Sequence, residues 1–181
     1  MQESSDHQDK VLLIKAGQGD ANSFGALFDK YYAKIYRFIF FKVSSKETAE
    51  DLTSQTFLKC WEHISQGNKV DKFQPWLYRI SRNLIVDYFR SREKEELPLI
   101  YQESGENEIE DVKVDPGQNL SREELEKIIF NLKSEAREII LLRYIEDLSI
   151  QEISKIVDKS AVNVRVIIHR SIKELQQFIK E

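Results

Sequence analysis

Residues 75–92, PWLYRISRNLIVDYFRSR, hold the side chains best suited to chemistry. Arg79, Arg82, Asn83, Val86, Asp87 and Arg90 recur at three- and four-residue steps, so a helix gathers them on one side. Guanidinium groups hold phosphates, an amide offers a donor and an acceptor to one base edge, and aromatic rings stack on unpaired bases. Rings stand nearby at Tyr78, Tyr88 and Phe89. The combination suits an opened nucleic-acid strand. Periodicity by itself favours a plainer reading: an amphipathic helix with Trp76, Leu77, Ile80 and Leu84 inward and scattered surface arginines. Asp87 and the modest basic charge argue against a membrane-surface helix.

A second set lies near the C-terminus. Val164, Ile168, Ser171, Ile172 and Leu175 share one side of a long helical pattern. Val162, Val166, His169, Arg170 and Lys173 share the other, with Asn163 and Arg165 at its edges. A recognition helix uses such residues from its N-terminal half, and exposed valines can touch thymine methyls or cover another protein surface.

Other chemistry is poorly supported. His7, His63 and His169 are scattered, none at metal-ligand spacing, and no Gly-rich phosphate loop occurs. Glu50 and Asp51 diverge by 100° on a helix, which suits surface charge or a protein-docking patch better than acid–base catalysis. No catalytic residue, metal or cofactor is expected. The apolar runs are far shorter than the ~20 residues of a membrane span. The polar N-terminus has no apolar signal core, so no export is expected. Cys60 is the sole cysteine, which excludes an intramolecular disulfide and fits a cytoplasmic location.

The net charge of −4 hides a partition. Residues 1–92 hold 14 Lys+Arg against 11 Asp+Glu, residues 93–120 hold 2 against 9, and residues 121–181 hold 11 against 11. The acidic middle carries Pro98 and Pro116 and no apolar period, so it reads as a linker between two helical blocks.

The first block, 10–92, predicts three helices. Asp20 caps the first, which buries Phe24, Leu27, Phe28, Tyr31, Ile35, Phe38 and Ile39. Ser44 with Glu47 opens the second, burying Ala49, Leu52, Cys60, Trp61 and Ile64. After a loop over 65–72, Asp71 or Lys72 precedes the third, which has Pro75 in its first turn and runs to about Arg92. The second block, 121–181, predicts a helix opened by Ser121 and Glu124, another from Ser134, a short one over 150–157 capped by Ser149 and Glu152, and a final one from Ser160. Short helix, three-residue turn and long helix is the helix-turn-helix layout. The expected fold is all-α, with two small domains.

These residues resemble a known family. Gly19-Asp20-Ala21, Phe24, Leu27-Phe28 and Tyr31, then Ala49-Glu50-Asp51-Leu52-Thr53, Phe57 and Trp61, then the run from Pro75 through Asn83, Asp87 and Arg90 resemble region two of the extracytoplasmic-function (ECF) sigma factors. Arg137-Glu138-Ile139, Leu142-Arg143-Tyr144, Leu148 through Ile153, Val164 and Arg170 resemble their region four. The resemblance implies a subunit that binds core RNA polymerase and directs promoter recognition, with an anti-sigma factor as a further partner. It places Asp51, Gln55 and Phe57 at polymerase docking. It places Tyr78, Arg79, Arg82, Asn83 and Arg90, with the loop over 65–74, at the minus-ten strand. It places Arg165, Val166, His169 and Arg170 on the minus-thirty-five element. The acidic linker would thread the RNA path.

The sequence departs from the family pattern at several positions. Ser54 replaces a common glutamine, Asp158 a turn glycine and Lys159 a small apolar residue. Val162, Asn163, Val166 and Ile167 stand where glycine, threonine, serine and arginine are usual. The rival function is a stand-alone helix-turn-helix regulator, which has no use for a strand-opening helix. A second rival is a protein-only adaptor, suggested by the apolar outer face of the last helix.

Overall fold

The computed structural model describes residues 2–95, 129 and 131–178, and every element among them is helical. Two compact units divide the chain, Met1–Leu97 and Pro98–Glu181, with the boundary inside the acidic segment.

The first unit holds α1 (Gln2–Gly17), α2 (Ala21–Val43), α3 (Lys46–Ser65) and α4 (Phe73–Glu95). Helix α2 touches the other three and supplies the middle of the core through Leu27, Tyr31, Ile35, Phe38 and Ile39. Leu52, Cys60 and Ile64 of α3 and Leu77, Leu84 and Ile85 of α4 are buried with them. The Cys60 thiol is pushed up by burial, which keeps it protonated and unreactive.

Asp20 caps α2 as expected. Its carboxylate accepts the Asn22 N–H at 3.1 Å and the Ser23 hydroxyl at 2.7 Å, and the Ser23 bond holds the carboxyl below its usual range. The start of α3 differs by one residue. Ser44 adopts a left-handed backbone (φ 53) and closes α2 by donating its N–H to Phe40 O at 2.9 Å. The cap therefore falls to Ser45, whose hydroxyl accepts the Thr48 N–H at 3.3 Å. Helix α4 runs to Glu95, three residues into the segment read as linker.

Helix α1 is the larger correction, because the first domain was expected to begin only at residue 10. Its apolar residues do not form one stripe: Leu13 and Ala16 are buried while Val11 and Ile14 are exposed. A buried acid helps to place it. Asp9 lies in the core and accepts from Lys30 Nζ and Tyr31 Oη on α2. Removing the carboxylate takes one buried acceptor from each of these donors, so Asp9→Ala is expected to cost about 1–3 kcal/mol in urea unfolding. An unchanged midpoint would show that packing alone fixes α1.

In the second unit, α5 (Ser134–Ile140) continues through one π turn (Leu141–Ile145), followed by α6 (Ile150–Val157) and α7 (Ala161–Phe178). Ile139, Leu142, Leu148, Ile153, Val164 and Ile168 form its centre. The start of the helix expected from Ser121 and the segment 96–120 lie outside the described residues, while Ile129 is helical and buried.

Candidate nucleic-acid and protein-docking faces

Helix α4 separates its two sides along a boundary different from the one periodicity suggested. Leu77, Tyr78, Ser81, Leu84 and Ile85 form the buried stripe, while Trp76 and Ile80 are half-buried at its margin. Arg79, Asn83, Val86, Asp87 and Arg90 are exposed on the opposite side, with Arg82 half-buried at one edge. Two cations thus bracket an amide along one exposed stripe about three turns long.

Tyr78 does not belong to that stripe. Its ring is fully buried and meets Phe38 edge-on at 5.1 Å between centroids. It cannot offer a face to an unpaired base, which corrects its place in the expected minus-ten set. Helical spacing puts Tyr78 only one residue from Arg79 in sequence but 100° away around the axis, and that difference decides burial. The reachable rings are the half-buried Tyr88 and the exposed Phe89, 5.3 Å apart, with Arg92 donating to Tyr88 Oη at 2.9 Å.

The loop before α4 is hydrogen-bonded into a defined turn. Gly67 takes φ 79, where a β-carbon would be strained, and donates to Ile64 O at 2.9 Å. Asn68 Nδ2 donates to His63 O at 3.1 Å. A recess of about 620 Å³ opens beside this loop, lined by Leu13, Ile14 and Gly17 of α1, Ile64 of α3 and the loop residues 67–71. Its walls include no residue of α4, so it does not unite Asn83 with the loop.

On α3, Asp51 is exposed and its Oδ2 accepts from Gln55 Nε2 at 2.8 Å, one helical turn on. Phe57 was expected beside them. It is instead 3% exposed, packed on Phe28 at 4.7 Å and Tyr32 at 6.4 Å between centroids. Its effect on docking can therefore act only through the shape of the unit. The apolar member of the exposed stripe is Leu58, 57% exposed. Asp51, Gln55, Leu58 and Glu62 follow a four-, three-, four-residue step, and that spacing was visible in the sequence.

The second unit builds the helix-turn-helix from three local devices. Ser149 and Glu152 form a complete capping box at the start of α6, with bonds of 3.3 and 2.9 Å. Asp158 ends α6 in a left-handed conformation (φ 55), filling the place where glycine is usual. Lys159 then pairs with Glu135 on α5 at 2.8 Å, and Ser160 Oγ accepts the Asn163 N–H at 3.2 Å to start α7. The inner side of α7 carries Val164, Ile168 and Ser171, all buried. Asn163, Arg165, Val166, His169 and Arg170 are exposed on the other side, as their spacing predicted.

Two separate helical modules, one ending in a helix-turn-helix, define the class of protein. Residues 27–95 match the family described as Sigma-70 region 2, and residues 122–175 match Sigma-70, region 4. The chain is 31% identical over 175 residues to the ECF RNA polymerase sigma factor BldN of Streptomyces coelicolor, covering 94% of this chain and 65% of that relative's length. It is 28% identical over 184 residues to the ECF RNA polymerase sigma factor SigW of Bacillus subtilis, covering 95% and 97% of the two chains. The fold resembles that of the sigma factor RpoE of Bartonella quintana, solved in complex with the anti-sigma factor NepR, with a TM-score of 0.65, 19% identity and coverage of 88% and 98%.

The chain belongs to the ECF sigma factors, the family of subunits through which bacterial RNA polymerase recognises promoters. Sigma factors are initiation factors without a catalytic step of their own. Among the described residues no helix is long and apolar enough to cross a membrane.

Proposed function

We propose that this sigma factor divides its work among three faces. The α3 stripe of Asp51, Gln55 and Leu58 docks on core RNA polymerase. The α4 stripe of Arg79, Asn83 and Arg90, flanked by Arg82, holds the minus-ten strand and reads one unpaired base. The outer side of α7, with Arg165, Val166, His169 and Arg170, sits on the minus-thirty-five element. The chain supplies no catalysis and acts where the polymerase acts, in the cytoplasm.

The observation that carries this reading is the α4 stripe. A cation, an amide and a second cation stand exposed at residues 79, 83 and 90, on a helix whose reverse side is locked into the core by Leu77, Tyr78 and Leu84. Phosphates are held by charge and one base is read by the amide, so positioning and specificity are separated along one rigid helix. A stand-alone duplex binder needs only the second unit.

An anti-sigma factor is the expected regulator, supported by the NepR complex of the related fold. Run-off transcription from a promoter library tests the whole reading. Core polymerase with this protein should start at a defined set of promoters that core alone ignores. Transcripts that do not depend on the protein would sink it.

A further inference from the structure

Val162 and Val166 leave two β-branched apolar side chains in water, 62% and 41% exposed. Both stand in the first two turns of α7, the part of a recognition helix that enters the groove. Such residues are weaker helix formers than alanine and gain nothing from burial here, so folding of this unit does not explain them. Four residues on a helix place them roughly 40° apart around the axis and about 6 Å apart along it. They form one apolar spot.

The surroundings of that spot point to its partner. His169 and Lys173 lie on the same side of α7, and Arg165 and Arg170 flank it, all four exposed. Within this arc of the helix there is no carboxylate; Glu174, half-buried, lies beyond its edge. An apolar centre with a cationic rim matches a surface that is apolar in its floor and anionic along its walls. The major groove of duplex DNA has that form: phosphates line both sides, and each thymine projects a C5 methyl from the floor.

We propose that Val162 and Val166 read thymine methyl groups in the upstream promoter element. The inference rests on the role of α7 proposed above and specifies its chemistry. A separation of about 6 Å spans about two base steps of ~3.4 Å, so the two methyls belong to thymines one or two positions apart. Arg165 and Arg170 hold the register, and the valines choose the base.

The test uses the holoenzyme of core polymerase with this protein. Its preferred upstream element is first selected from a randomised library. Each thymine of the selected element is then replaced by uracil, which removes only the methyl. At one or two positions within the selected element, uracil should weaken holoenzyme binding about fourfold, the effect of burying one methyl-sized group. The double variant V162A/V166A should bind the thymine and uracil promoters equally, while its far-ultraviolet circular dichroism stays unchanged because both positions are exposed. Selection that yields no upstream preference overturns the proposed role of α7 itself. A clear preference with no uracil effect overturns the methyl reading alone and assigns the valines to a protein surface. A uracil effect that persists in the double variant also overturns it, because other side chains would then make the contact.

Discussion

Asn83→Ala should leave core-polymerase binding intact and reduce open-complex formation by about 1–3 kcal/mol, or roughly fivefold to a hundredfold, the range for one well-made amide–base contact. Asn83 stands exposed on the α4 stripe between Arg79 and Arg90, on a different helix from the α3 docking stripe. Permanganate reactivity of unpaired thymines measures the opening directly. A preformed bubble should bypass part of the defect, because strand separation is then supplied, yet the loss of base reading should persist. Full opening by the variant on every downstream-element sequence would remove Asn83 from the site.

The neighbouring rings separate stacking from packing. Phe89→Ala, at an exposed position, should lower opening by about 1–3 kcal/mol if a base stacks there. Tyr78→Ala should instead unfold the unit, since truncating a buried aromatic costs about 3–5 kcal/mol. A Tyr78 variant that melts normally but fails to open promoters would contradict the burial of this ring.

Asp51→Arg should abolish most of the affinity for core polymerase. Reversing a charge on a docking surface places like charges together, which costs several kcal/mol and so a hundredfold or more in binding. The helical circular-dichroism signal should stay intact, because Asp51 is exposed and its hydrogen-bond partner Gln55 is also at the surface margin. Leu58→Ala should weaken binding without changing stability. Phe57→Ala should do the reverse at first order, losing stability through the cavity beside Phe28 and Tyr32. Pull-down with unchanged recovery of Asp51→Arg would take that residue out of the docking face.

Local chemistry was legible in the sequence wherever one short segment decides the outcome. The Asp20 cap, the Ser149–Glu152 capping box, the span of α6, the left-handed tolerance of Asp158 and the two sides of α7 all depend on neighbours within about four residues. The family resemblance likewise rests on strings of residues and needed no coordinates. Three features were not legible in this way. Helix α1 lacks an amphipathic stripe, and its Asp9 is anchored by Lys30 and Tyr31, more than twenty residues away. Ser44 and Ser45 are equally good caps in isolation, and the way α2 closes assigns the role to the second. Phe57 and Tyr78 carry the family's motif, yet their exposure is set by which face of α3 and α4 meets α2. Sequence spacing defines the faces of a helix; only packing against its neighbours decides which face the solvent, the polymerase or the DNA can reach.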